Sequence, residues 1–251
     1  MPAVGRKHGL LFFIPACLAV LCFAVLCFLL HVRPDRLIGA AFCHQLATRS
    51  PEFSFPFCYR CSGLFSGIFW GMAAAVLRPR TDKLLSRFSA AAIIVSLGLF
   101  LTDIVNTTEY IPVRFYRESI PIRFLSSYPL GFFLSSLVAD LYQYLFRINK
   151  DTVKGKMLIT AAFLCAGCLI SYLLVFSGVR FLTLLTGYLI AAGSLAFLIV
   201  LYSILVKCVS MLRGSSSTLS GCLAASVFLA FCHINLLGGL HLYFFNFDQL
   251  F

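Results

Sequence analysis

The chain has 251 residues, of which 61% are hydrophobic and 12% charged, whereas an ordinary soluble domain is roughly 25% charged. The formal charge of +11 would suit nucleic acid, but the Lys and Arg residues lie in short loops between apolar runs and form no basic stripe, which argues against such a partner. The apolar runs are about 20 residues long, enough to cross a hydrocarbon core as helix, and they leave no room for a separate soluble domain.

The first run, residues 10–30, follows Arg6 and Lys7. It is too long for a signal h-region and no small-x-small cleavage site follows it, so it reads as a retained anchor. Further runs cover 62–77, 88–105, 124–146, 157–176, 181–206 and 218–240, each bounded by charges, Pro or Gly. Together they predict an all-α polytopic transmembrane helical bundle of about seven spans, or six if the short second run does not cross. Three segments are expected: an N-terminal transmembrane anchor over 1–30, a membrane domain over 31–146, and a C-terminal three-helix membrane segment over 147–251.

With seven spans, twelve of the twenty Lys and Arg residues fall on the side of the N-terminus and eight on the other. The positive-inside rule then places the N-terminus in the cytoplasm and the C-terminus outside. Every lysine is on the predicted inside, and every basic residue outside is an arginine. Topology makes no such distinction, so the outer arginines point to bidentate pairing with carboxylate or phosphate, or to chance in a small sample. Gly63, Gly67 and Gly71 recur every four residues on one face of the second run, where they predict close backbone packing against another helix.

The first outer loop holds the chemistry. Phe42-Cys43-His44-Gln45 is followed by Arg49-Ser50 and by Phe57-Cys58-Tyr59-Arg60-Cys61-Ser62-Gly63. Cys43, His44, Cys58 and Cys61 offer four soft or borderline ligands, a set that suits tetrahedral zinc. A second reading is thiol-disulfide exchange, because Cys61 is expected at a helix N-terminus beside Arg60, where dipole and charge favour a thiolate. A third is a structural disulfide among the same cysteines.

This pattern, Cys43-His44-Gln45, Arg49-Ser50 and Cys58-x-Arg60-Cys61-x-Gly63 with Gly67, resembles the family of membrane proteins called domain of unknown function 2085. The resemblance covers roughly residues 30 to 145. It implies that Asp103, late in the next helix, Arg123, before the following one, and Gly131 belong with the signature. Thr107, Ile120 and Ser127 stand where the family has Gln, Asn and Gly. The family carries no established activity, so the resemblance singles out residues and leaves the reaction open.

The residues themselves support the pairing. The third run goes from inside to outside, which brings Asp103 to the level of the Cys/His loop. There it is a candidate partner for Arg49, Arg60 or Arg123, or for the second nitrogen of His44; the bland alternative is an interfacial Asp that reaches water. Asp140 reads as an interfacial residue near Arg147, or as part of an ion path. His233 and His241, in the last run, read as satisfied polar residues between helices or as functional groups at membrane depth. Cys165 and Cys168 lie mid-helix and read as packing residues. Asn106-Thr107-Thr108 matches a glycosylation sequon.

The sequence thus predicts a multi-pass integral membrane protein with a metal-binding, zinc-type site at the outer membrane surface. Cys43, His44, Cys58 and Cys61 are its ligands, with Gln45, Arg49, Arg60, Asp103 and Arg123 as outer or anion-binding groups. The partners are the lipid bilayer and an anionic lipid or small anion. Two further classes stay open: a membrane thiol-disulfide oxidoreductase using Cys58 and Cys61, and a small transporter using Asp103, Asp140 and His233, for which no inverted repeat is evident. No catalytic residue is assigned.

Overall fold

The computed structural model describes residues 4–29, 31–43, 57–77, 87–107, 116, 119–146, 156–214 and 219–241. They form α1 (Val4–Leu29), α2 (Pro34–Phe42), α3 (Tyr59–Leu77), α4 (Arg87–Thr107), α5 (Ile120–Leu145), α6 (Lys156–Phe176), α7 (Arg180–Leu212) and α8 (Leu219–His233), which runs into a π-helical turn at Ile234–Gly238. Among the described residues six helices are long and apolar enough to cross a membrane, or seven if the bent pair Ile14–Leu29 and Pro34–Phe42 is one span. The expected all-α membrane bundle is what the chain forms.

Two compact units divide the chain. One comprises Phe57–Tyr144 and Ile148–Ser194. Its axis is a seam between α3 and α5. A Cβ added at Gly63 would meet the carbonyl of Phe124, one at Gly67 the carbonyl of Tyr128, and one at Gly71 the carbonyl of Phe132 and the hydroxyl of Ser135. From the other side Gly131 lies against the carbonyl of Leu64. Contact positions rise together along both helices, so α3 and α5 run parallel and begin at the same end. Glycine is required here because any side chain would push the backbones apart. Two polar bonds close the far end of the seam: Gln143 Nε2 donates to Ala75 O at 3.0 Å and Ser136 Oγ to Gly71 O at 3.4 Å.

Helix α6 covers α3 from another side. The Tyr59 and Phe176 rings stack 5.4 Å apart and only 9° from parallel, and Trp70 Nε1 donates to Ser171 Oγ at 2.8 Å. Gly167 makes room for the Trp70 ring and the Tyr128 hydroxyl.

Helix α4 has the opposite polarity pattern to a helix of a water-soluble protein. Ser96, Asp103 and Asn106 are buried, while Ile94, Val95, Leu97, Leu99 and Leu101 are exposed. With hydrocarbon as solvent, apolar side chains gain nothing by hiding, whereas polar groups must find partners inside the protein.

The other unit comprises Met1–Pro56, Leu145–Arg147 and Leu195–Phe251. Here α1 packs on α8 through Phe23 and Phe231, whose ring centroids are 5.3 Å apart, and Asn235 Nδ2 donates to Ala19 O at 3.3 Å. Gly238 in the π-turn lets that turn approach the carbonyl of Leu37 in α2.

Helix α1 ends in a Schellman arrangement. Val32 N donates to Cys27 O at 3.0 Å and His31 N to Phe28 O at 3.2 Å, and His31 takes the left-handed conformation at φ 49°. That slot favours glycine, because a Cβ there costs roughly 1–2 kcal/mol. Pro34 then opens α2 two residues on, and α2 leaves at 105° to Ile14–Leu29. His31→Gly is therefore expected to stabilise the protein by roughly 0.5–1 kcal/mol, the gain being reduced by glycine's extra freedom in the unfolded chain. A raised melting temperature in detergent is the check.

Several boundaries differ from the sequence expectation. The nine residues of α2 carry no run long enough to be read as helix against their Pro, Asp and Arg. Helix α3 starts at Tyr59 instead of residue 62, and α5 starts at Ile120 instead of 124. In α5 Ser119 acts as N-cap, its Oγ accepting Ile122 N at 3.3 Å, and Pro121 fits the first turn, where no N–H is needed. Helix α7 continues to Leu212 past Lys207, whose ammonium lies 5.7 Å from the centroid of the Phe146 ring.

Candidate functional site

The start of α3 carries two of the thiols. Cys58 immediately precedes the helix, and its carbonyl accepts the first helical bond from Ser62 N at 2.6 Å. Its sulfur accepts Cys61 N–H at 3.4 Å, as the oxygen of an N-cap side chain would. The thiol at the helix cap is therefore Cys58, and Cys61 lies in the first turn, because α3 begins earlier than the apolar run suggests. An N–H directed at sulfur, together with the positive end of the helix dipole, stabilises thiolate.

Cys43 ends α2, and its N–H donates to Gly39 O at 2.8 Å. Cys43 and Cys58 are buried and Cys61 is half-buried. Of the other expected site residues, His44, Gln45 and Arg49 lie outside the described residues.

Arg60, between the two thiols of α3, ion-pairs with Asp103 near the end of α4. Its Nε donates to Asp103 Oδ2 at 2.7 Å, its Nη2 lies 2.6 Å from the same oxygen, and Nη2 also reaches the Asp103 carbonyl at 3.4 Å. Asp103 is fully buried. Arg60 is thus one of its sequence-expected arginine partners. The second carboxylate oxygen, Oδ1, accepts the hydroxyl of Tyr116. Burial, and then the hydrogen bond to Asp103 and that residue's charge, raise the Tyr116 phenol well above its ordinary value against the opposing charges of Arg60 and Arg123. Tyr116 is thus held as a neutral donor. Its backbone is fixed too: Asn106 Nδ2 donates to Tyr116 O at 3.0 Å, and Tyr116 N donates to Asn106 Oδ1 at 3.2 Å.

Tyr116 and Asn106 were missed as site residues. Asn106 shows itself in the sequence only as a sequon, and its fully buried, doubly bonded amide leaves no room for a glycan. Asp35, which the sequence reading does not single out, is fully buried and paired with Arg33. Arg123 lies in the first turns of α5, where its carbonyl accepts Ser127 Oγ at 2.9 Å.

His233 Nδ1 and the Tyr202 hydroxyl are 2.9 Å apart, and its ring stacks 6.0 Å from Phe42. These contacts make it a partnered polar residue between helices. Asp140 is half-buried on α5, toward the opposite end from Arg123. Cys168 is half-buried and Cys165 exposed on α6.

No curated protein and no solved structure matches the chain. A family model described as Predicted membrane protein (DUF2085) matches residues 43–137. That segment begins at Cys43 and takes in Cys58, Arg60, Cys61, the glycine seam, Asp103, Tyr116 and Arg123. Over residues 43–137 the chain is similar to that family of predicted membrane proteins.

Proposed function

We propose that this membrane protein binds a metal ion of the zinc type through Cys43, Cys58 and Cys61, with His44 as the fourth ligand and the site facing away from the cytoplasm. The observation that supports the reading is the Cys-x-x-Cys pair that opens α3, with Cys58 at its cap and Cys61 in its first turn, and with Cys43 and His44 upstream in the sequence. Three thiols and an imidazole form a ligand set that zinc fits. Gln45, Arg49, Arg60, Asp103 and Arg123 are the outer groups. The arginines among them are the groups that an anionic lipid or small anion would meet. The outward orientation rests on the Lys/Arg asymmetry.

A second reading is supported by the bond from Cys61 N–H to Cys58 Sγ. A thiolate stabilised there could attack a disulfide of a partner protein, passing its two electrons on and leaving Cys58 and Cys61 oxidised.

Elemental analysis of protein purified in mild detergent, without chelator or polyhistidine tag, separates the two. About one zinc per chain is expected, with loss of any of Cys43, Cys58 or Cys61 emptying the site. Metal-free protein whose Cys58 and Cys61 cycle between dithiol and disulfide would replace the metal reading with the redox one.

A further inference from the structure

We propose that Tyr116 is a positioning residue of the thiol site, acting on the first turn of α3 through Asp103 and Arg60. This rests on the reading of Cys58 and Cys61 as the reactive or ligating pair, and it adds a residue that neither the motif nor the apolar pattern indicates.

Asp103 and Asn106 are three apart on α4, so they share a face, and both are fully buried. Together they hold Tyr116 at three points: both its backbone groups on the Asn106 amide and its hydroxyl on Asp103 Oδ1. An isolated loop anchor would need only the backbone pair. The phenol does something further, because it takes one carboxylate oxygen and leaves the other, Oδ2, to Arg60. The carboxylate cannot turn to present both oxygens to the guanidinium without abandoning the phenol. Its orientation, and with it the position of Arg60, is therefore fixed from the side of Tyr116. Arg60 belongs to the first turn of α3, whose order carries the Cys61 N–H to the Cys58 sulfur. Outer partners of this kind typically change metal affinity by about 10–100-fold.

The experiment compares wild type, Tyr116→Phe, Asp103→Asn and the double variant in two measurements. One is zinc affinity by competition with a chromophoric chelator. The other is the rate of iodoacetamide alkylation of Cys61 in zinc-stripped protein, relative to Cys208 on α7 as an internal reference. Tyr116→Phe is expected to weaken zinc about tenfold and to speed Cys61 alkylation relative to Cys208. Both effects should largely vanish in the Asp103→Asn background, since Tyr116 acts through that carboxylate. A Tyr116→Phe protein that melts earlier but keeps the wild-type zinc affinity and alkylation ratio would overturn the proposal and leave Tyr116 a loop anchor. So would additive effects in the double variant. A wild type that takes up no zinc would sink the metal reading alone, and the alkylation ratios would then decide on Tyr116. If Tyr116→Phe does not accumulate, Tyr116→His, which keeps a ring donor, must restore the wild-type ratio better than Tyr116→Leu; equal ratios reject the proposal.

Discussion

Replacing Gly67 by leucine is expected to abolish the folded protein in detergent. A single Cβ at this position already falls on the Tyr128 carbonyl and close to Phe132 N. The obstacle is backbone, which cannot move aside as a flexible side chain can. The whole α3–α5 seam would have to open, with loss of the packing at Gly63, Gly71 and Gly131 and of the bonds from Ser136 and Gln143. Overpacking a core by a few methylenes costs roughly 1–3 kcal/mol, and separating two helices along their length should cost more. Gly98→Ala is the control, since nothing lies within 4 Å of a Cβ built there, and alanine favours helix by about 1 kcal/mol. Yield after size-exclusion chromatography and thermal melting provide the measure. A Gly67→Leu protein that stays monodisperse and melts like the parent would show that the seam does not form in the bilayer.

The second large effect is expected at the buried ion pair. Arg60→Met removes the cation and leaves the Asp103 carboxylate, with its side chain 1% exposed, without this ion pair. Breaking one side of a buried pair typically costs about 3–5 kcal/mol, most of it the penalty of an uncompensated charge. The double variant Arg60→Met/Asp103→Leu removes both charges and should recover much of the loss. It would retain a cost of roughly 1–3 kcal/mol for the Tyr116 hydroxyl without its acceptor. Melting curves of the four proteins in one detergent give the coupling energy. If Arg60→Met melts like the parent, the pair contributes little to stability and Asp103 is solvated in the membrane.

The sequence made the long apolar helices legible because a hydrocarbon solvent asks for little beyond length and the absence of charge. The same economy hid the rest. Helix α2 escapes a hydropathy reading since it is too short to span and begins Pro34-Asp35-Arg36. Its buried Asp35 depends on Arg33 for a partner, a pairing two residues apart that no helical period announces. The spacing of Gly63, Gly67 and Gly71 exposes one side of a seam, and only the fold shows the opposing carbonyls of Phe124, Tyr128 and Phe132. Cys43, Cys58 and Cys61 were legible as chemistry because thiols beside a histidine and an arginine have few bland uses. Tyr116 was not, since its role comes from Asn106 fixing its main chain, and such an amide-to-backbone pairing leaves no mark on sequence spacing. The Asp103–Arg60 pair was one of several possible matches, and the parallel start of α3 and α5 with α4 ending beside them selects it.

The reversed polarity of α4 bears on how this protein could be handled in water. Its outward residues Ile94, Val95, Leu97, Leu99 and Leu101 make few contacts that hold the fold together, while Ser96, Asp103 and Asn106 on the inward side are buried. Removing lipid therefore destroys no core on this helix; it exposes a surface that water would drive toward aggregation or inversion. A soluble version would be sought by recoding those outward positions to Glu, Lys and Gln with the inward face left intact. Its thiol cluster could then be titrated with metal without detergent.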